Sequence, residues 1–243
     1  MKLVPVLVFF IGYCLALPAC ALSQSSPADS AFLQQAIANI SLTYKKETAE
    51  NLHLYNGSEY MRHGHGVKGF PFFQSAGMLK GDVFYDGNLY HDISMQYDLE
   101  EDNLVINDYS GNVFIRLVKE KVQYFIIDGH TFVPLAAGGG LPLGGFYGLL
   151  QRGAVNAYVK KQKKMALSVN ASDNDASYLT LNTYYIEKQA VYFVVTGERA
   201  VLSLLNDKKD VLKKYIRSAK LSFKKDPDQF IARVTGYYNQ LKN

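Results

Sequence analysis

The chain has 243 residues, 48% of them hydrophobic and 20% charged, with a net charge of +4. That composition excludes a disordered polymer, and so small an excess of positive charge does not mark a nucleic-acid binder. Tyrosine and phenylalanine are abundant, at 18 and 14 residues, and tryptophan is absent. Aromatic enrichment of this kind suits pleated, half-buried surfaces.

Charge is unevenly distributed. Between Gly81 and Ile115 there are eight acids and no Lys or Arg, whereas Arg152 to Lys225 carries fifteen basic residues against six acids. The reading is an acidic end of a sheet and a solvated basic face on C-terminal helices. Such a dipole can steer an anionic partner.

In chain order, Met1-Lys2 precedes an uncharged apolar run, Leu3 to Leu17, which closes on Pro18-Ala19-Cys20-Ala21-Leu22-Ser23-Gln24. A charged start, a short apolar run and a small-x-small end make a secretory signal peptide over residues 1–23, cleaved before Gln24. The rival is lipoprotein processing, with lipid on Cys20. Both cysteines, Cys14 and Cys20, lie in this leader. The mature chain is therefore expected to lack disulfides and thiol chemistry and to rely on its core. The expected setting is extracytoplasmic, periplasmic or secreted, with no membrane span after cleavage.

Residues 24–243 read as a single β-rich domain. Leu33, Ala36, Ile37 and Ile40 share a helical face, which predicts a short helix from Ser30 to about Ile40, and Leu42 and Tyr44 alternate as in a strand. Leu54 to Tyr60 reads as a turn, and Met61 to Gly69 as a loop rich in glycine and histidine. From about 79 to 135, short apolar runs alternate with turn residues such as Asp86-Gly87 and Asp128-Gly129, the pattern of an antiparallel meander. Ala136 to Gly145 is a glycine-rich seam or lid. Phe146, Leu149 and Leu150 predict a helical turn, and Lys160 to Lys164 reads as the exposed end of a strand and its turn, the alternative being contact with an anionic headgroup or polysaccharide. A second hairpin is expected over about 179–195, turning at Glu187-Lys188-Gln189. Helical periodicity then runs over about 198–242, with Asp226-Pro227 opening the last helix as N-cap and first residue.

The chemistry-bearing patterns are few. His63 and His65 form an HxH pair in a glycine loop, and a third ligand from His53 or His91 completes a zinc or copper set. The plain alternative is two exposed histidines. The acid pairs Asp86/Asp92 and Asp98/Asp102 sit where turns are expected, which favours local hydrogen bonding over acid–base or calcium chemistry. The glycines from Gly138 to Gly145 lack the Lys-Ser/Thr of a phosphate loop and the spacing of a dinucleotide fold. No serine lies in a G-x-S-x-G setting. No catalytic residue and no cofactor is indicated.

Gly81-Asp82-Val83-Phe84-Tyr85-Asp86-Gly87 with Tyr90, Tyr97-Asp98, Phe146-Tyr147 with Leu149-Leu150 and Gly153, and the closing Tyr237-Tyr238 resemble a group of exported Bacteroidota proteins without an assigned activity. The resemblance implies a Gram-negative extracytoplasmic setting and carries over no site residue.

The expected fold is α+β: an antiparallel β-meander, strongly curved or partly barrelled, with C-terminal helices packed on it. Three functions stay open. The first is a non-catalytic interaction module with an envelope partner. The second is a carrier or chaperone for a hydrophobic ligand such as a lipid or lipoprotein. The third is a metal-dependent enzyme using His63 and His65.

Overall fold

The computed structural model describes residues 53–61, 67–108, 110–167 and 176–242. Every described residue belongs to one compact unit, 48–243. The leader, the expected helix from Ser30 and the strand at Leu42 to Tyr44 lie outside the described residues.

Twelve strands of the described region form one sheet. They are β1 (Ser58–Glu59), β2 (Val67–Lys68), β3 (Leu79–Tyr85), β4 (Asn88–Asp98), β5 (Asn103–Asn107) and β6 (Phe114–Arg116). Then come β7 (Val122–Ile127), β8 (His130–Leu135), β9 (Gly145–Gln151), β10 (Asn156–Leu167), β11 (Ala176–Lys188) and β12 (Val191–Val195). The order across the sheet is β1-β6-β5-β4-β3-β7-β8-β9-β10-β11-β12, antiparallel throughout, with β2 joined parallel to the start of β11. Between β3 and β12 succession breaks once. After β6 the chain crosses back through a 3-10 turn, Lys119–Lys121, and β7 pairs with β3 instead of β6. The α+β architecture expected from the sequence is thus present, with helices packed on a curved antiparallel sheet.

Two tight hairpins carry the turn residues read from the sequence. Asp86-Gly87 and Asp128-Gly129 all have positive φ, the geometry of a type I′ turn whose twist matches that of the paired strands. The β11–β12 turn has the same signs at Gln189 (φ 54°) and Ala190 (φ 61°), one or two residues later than the Glu187–Gln189 turn expected.

The sheet curls strongly. Lys163 N donates to Leu99 O at 3.1 Å, bringing β10 to the end of β4 although β3, β7, β8 and β9 lie between them. Inside the curl Phe125 and Phe132 are cross-strand partners and stack at 5.0 Å, with Tyr97 and Phe146 edge-on to them. All four are buried. Truncating one such ring to alanine costs roughly 3–5 kcal/mol.

The other face of β10–β12 carries the helices α1 (Glu198–Leu204), α2 (Lys209–Ser218) and α3 (Pro227–Gln240). Ala157, Val159, Tyr184 and Ile186 meet Leu212, Ile216, Phe230 and Val234 in a second core. Asp226 caps α3 as expected, its Oδ1 accepting from Gln229 N at 2.9 Å ahead of Pro227. No helix among the described residues is long and apolar enough to cross a membrane.

Two local expectations are corrected. Residues 145–151 are strand, not a helical turn, because their backbone pairs antiparallel with β8 on one side and β10 on the other. Lys160 to Lys164 is not an exposed strand end: it lies inside a twelve-residue strand, and Lys160 is only 5% exposed.

Candidate functional site

Three features gather around β10 and β11. The first is a buried polar knot. Asp102, in the β4–β5 turn at φ 59°, takes Lys160 Nζ (2.9 Å) and Tyr97 OH (2.6 Å) on Oδ1, and Lys119 Nζ (3.0 Å) and Phe146 N (3.2 Å) on Oδ2. Lys160 also donates to Phe146 O at 2.9 Å. Burial depresses the Lys160 ammonium even though Asp102 favours its charged form. Burial, reinforced by the Asp102 carboxylate, pushes the Tyr97 phenol well above its usual value. Each carboxylate lone pair has a donor, so the knot ties four distant segments together. Chemically it is a closed, satisfied network.

The second feature is a tyrosine-walled recess. Tyr147, Tyr158 and Tyr185 are buried, with Tyr192 beside them, on the same side of the sheet as Lys160. Tyr147 and Tyr185 meet edge-on at 5.7 Å, and Lys160 Nζ stands 4.9 Å from the Tyr147 ring centre. Burial raises all four phenols, Tyr147 to about 12. The glycine-rich segment expected to be a seam or lid lies across them. Its tip is held by paired bonds between Gly138 and Leu141, and Gly139 O accepts from Tyr192 N on β12 at 2.7 Å. Leu141, 4% exposed, plugs the recess, and Tyr147 OH donates to Leu143 O at 2.6 Å.

The third feature is apolar and uncovered. Leu179, Leu181, Thr183 and Tyr185 share one face of β11, and Val194 is the register partner of Tyr185. Leu179, Leu181 and Val194 are 53%, 43% and 49% exposed. The strip runs from the far end of the β10–β11 arm to the tyrosine recess.

The site residues read from the sequence fare differently. His63 and His65 lie outside the described residues. His53 is exposed, and His91, also exposed, has its Nδ1 3.2 Å from Asp82 Oδ2. Among the described residues no three His, Cys, Asp or Glu side chains are placed to hold a metal. Asp86 holds a turn and pairs with Lys121 at 2.8 Å, whereas Asp92 is not at a turn: it lies within β4 at φ 55°, where the β3–β4 register shifts, and pairs with Lys80 at 3.3 Å. Asp98 and Asp102 do sit at a turn, yet both face inward. Buried Asp98 accepts Tyr60 OH at 2.6 Å and the Glu100 and Glu101 amides. Lysines 160 and 163 are the functional-looking residues that sequence reading took as part of an exposed strand end. Their signal was alternation: Tyr158, Lys160 and Gln162 share one face, Val159, Lys161 and Lys163 the other, so each face puts a lysine beside core residues.

No family model, curated protein or solved structure matches this chain.

Proposed function

We propose that this chain is an exported, non-catalytic binding module that recognises an envelope polypeptide through the apolar strip on β11 and β12. The observation that carries the reading is the exposure of Leu179, Leu181 and Val194 on one continuous face. Large apolar side chains grouped in this way on a folded surface mark interaction sites. The leader read from residues 1–23 supports the extracytoplasmic setting.

The test is photocrosslinking in the native envelope with a benzophenone residue at Leu181, and a control at Lys214 on the exposed side of α2. A discrete adduct at Leu181 and none at Lys214 is the expected result. No adduct at Leu181, or the same adducts at both positions, overturns the reading.

One observation favours a second reading, a carrier for a hydrophobic ligand. Leu141 occupies a recess walled by tyrosines and is held there by a short glycine-rich loop. An apolar chain entering along the strip would displace Leu141 and take its place. Native mass spectrometry of protein purified from its own envelope separates the two readings: a lipid-sized adduct supports the carrier, and a bare polypeptide mass removes it.

A further inference from the structure

On the opposite face of the β10–β11 arm from Leu179 and Leu181, Lys163 lines a separate cleft of about 290 Å³ with Lys161, Phe70, Leu99, Thr180 and Asn182. Its Nζ donates to Phe70 O (2.9 Å) and Phe72 O (2.8 Å) and stands 4.1 Å from the Phe70 ring centre. Those partners are two dipoles and a π face, and none carries a formal negative charge. The neighbouring lysines on the same strand differ. Lys160 has Asp102 at 2.9 Å, and Lys161 has Asp228 at 2.7 Å. Among the described residues no carboxylate comes within 4.0 Å of Lys163 Nζ.

Half-buried cations normally find a counter-charge, because removing charge from water is costly unless it is paired. Burial alone accounts for the depressed proton affinity of this ammonium, and no anion opposes it. Two of its three N–H bonds are committed, which leaves one donor. Thr180 and Asn182, the register partners of Lys163 and Lys161, line the same wall, and Phe70, Phe73 and Leu99 supply apolar surface.

We propose that this cleft binds a small organic carboxylate, its oxygens on the Lys163 ammonium and the Asn182 amide, its apolar part against Phe70. A carboxylate suits the site better than a phosphate. Of the two lysines in the lining, Lys161 is already neutralised by Asp228, so one uncompensated ammonium matches a single charge, whereas phosphate sites gather arginine forks or several backbone N–H groups. The cleft stands apart from the apolar strip and does not depend on the role proposed for it.

The test is amide-shift NMR on the isotope-labelled full chain, titrated with octanoate, phenylacetate and inorganic phosphate in turn. Saturable shifts at Lys163, Thr180 and Asn182 with a carboxylate, and none with phosphate, are expected. Lys163→Met removes the charge and weakens binding at least about tenfold, as loss of a charge-assisted bond does. Lys163→Gln keeps donors for the two carbonyls without the charge, and gives the same loss if the methionine variant does not fold. The proposal is overturned by phosphate binding in place of the carboxylates, by no saturable shift at millimolar carboxylate, or by unchanged affinity in the glutamine variant.

Discussion

Lys160 and Asp102 are 58 residues apart in the chain, and their side chains meet at 2.9 Å with Lys160 only 5% exposed. The pair joins β10 to the β4–β5 turn across the curl of the sheet. Truncating one member of such a pair leaves the other buried and uncompensated, which costs about 3–5 kcal/mol. Asp102→Ala is expected to lose stability in that range by urea denaturation. Lys160→Met is expected to lose less, because Lys119 and Tyr97 still occupy the carboxylate. Equal losses would show that the charge is not what matters there.

Gly145 sits against this pair at φ 135°. A Cβ at that position would overlap the Asp102 carboxylate and crowd Lys160 Nζ. Gly145→Ala should cost about 3 kcal/mol or more, combining backbone strain with overpacking. Gly87→Ala, at φ 83° with open space around it, should cost only about 1 kcal/mol. The comparison isolates the packing contribution from the conformational one.

Alkaline pH should unfold the protein. Tyr97, Tyr147, Tyr158 and Tyr184 all keep their protons in the folded state above the ordinary phenol value of 10.0, chiefly because of burial. Above pH 10 the unfolded chain therefore binds fewer protons than the folded one, and stability falls as pH rises. Lys160 and Lys163, both depressed by burial, act in the opposite direction just below 10.5 but are outnumbered by the tyrosines. Ultraviolet titration should show a set of tyrosines that ionise only with loss of the near-ultraviolet circular dichroism signal. Smooth ionisation of all of them in a folded protein would contradict the burial described above.

Asn239 on α3 makes a two-point clasp with the residue before β10: its Oδ1 accepts from Val155 N at 2.9 Å and its Nδ2 donates to Val155 O at 3.0 Å. Asn239→Leu leaves both backbone groups buried and unpaired, at about 1–3 kcal/mol each. Asn239→Asp keeps the acceptor for Val155 N but turns a buried carboxylate oxygen toward Val155 O, and should lose at least as much. Thermal unfolding of the two variants measures the difference.

Charge on the apolar strip should leave the fold alone. Leu179→Lys and Leu181→Glu remove exposed side chains, so stability should change by less than about 0.5 kcal/mol. Self-association at high protein concentration, read by light scattering, should fall. A large loss of stability would mean the strip is covered in the folded protein.

The sequence by itself determined the class of the fold and most of its punctuation. Alternation of apolar residues marked the strands, Asp-Gly pairs marked two type I′ turns, and Asp226-Pro227 marked the start of α3, because each is a local preference. It did not determine the return of β7 to β3, the curl that joins Lys163 to Leu99, or the inward turn of Asp98 and Asp102. Those depend on partners tens of residues away. The lysines of β10 show the limit most clearly. In sequence, Lys160 to Lys164 is a run of charge, and runs of charge are usually solvated. Only the tertiary structure supplies Asp102 for one lysine, Asp228 for the next, and two bare carbonyls for Lys163. Whether a charge is paired is decided by what folds against it.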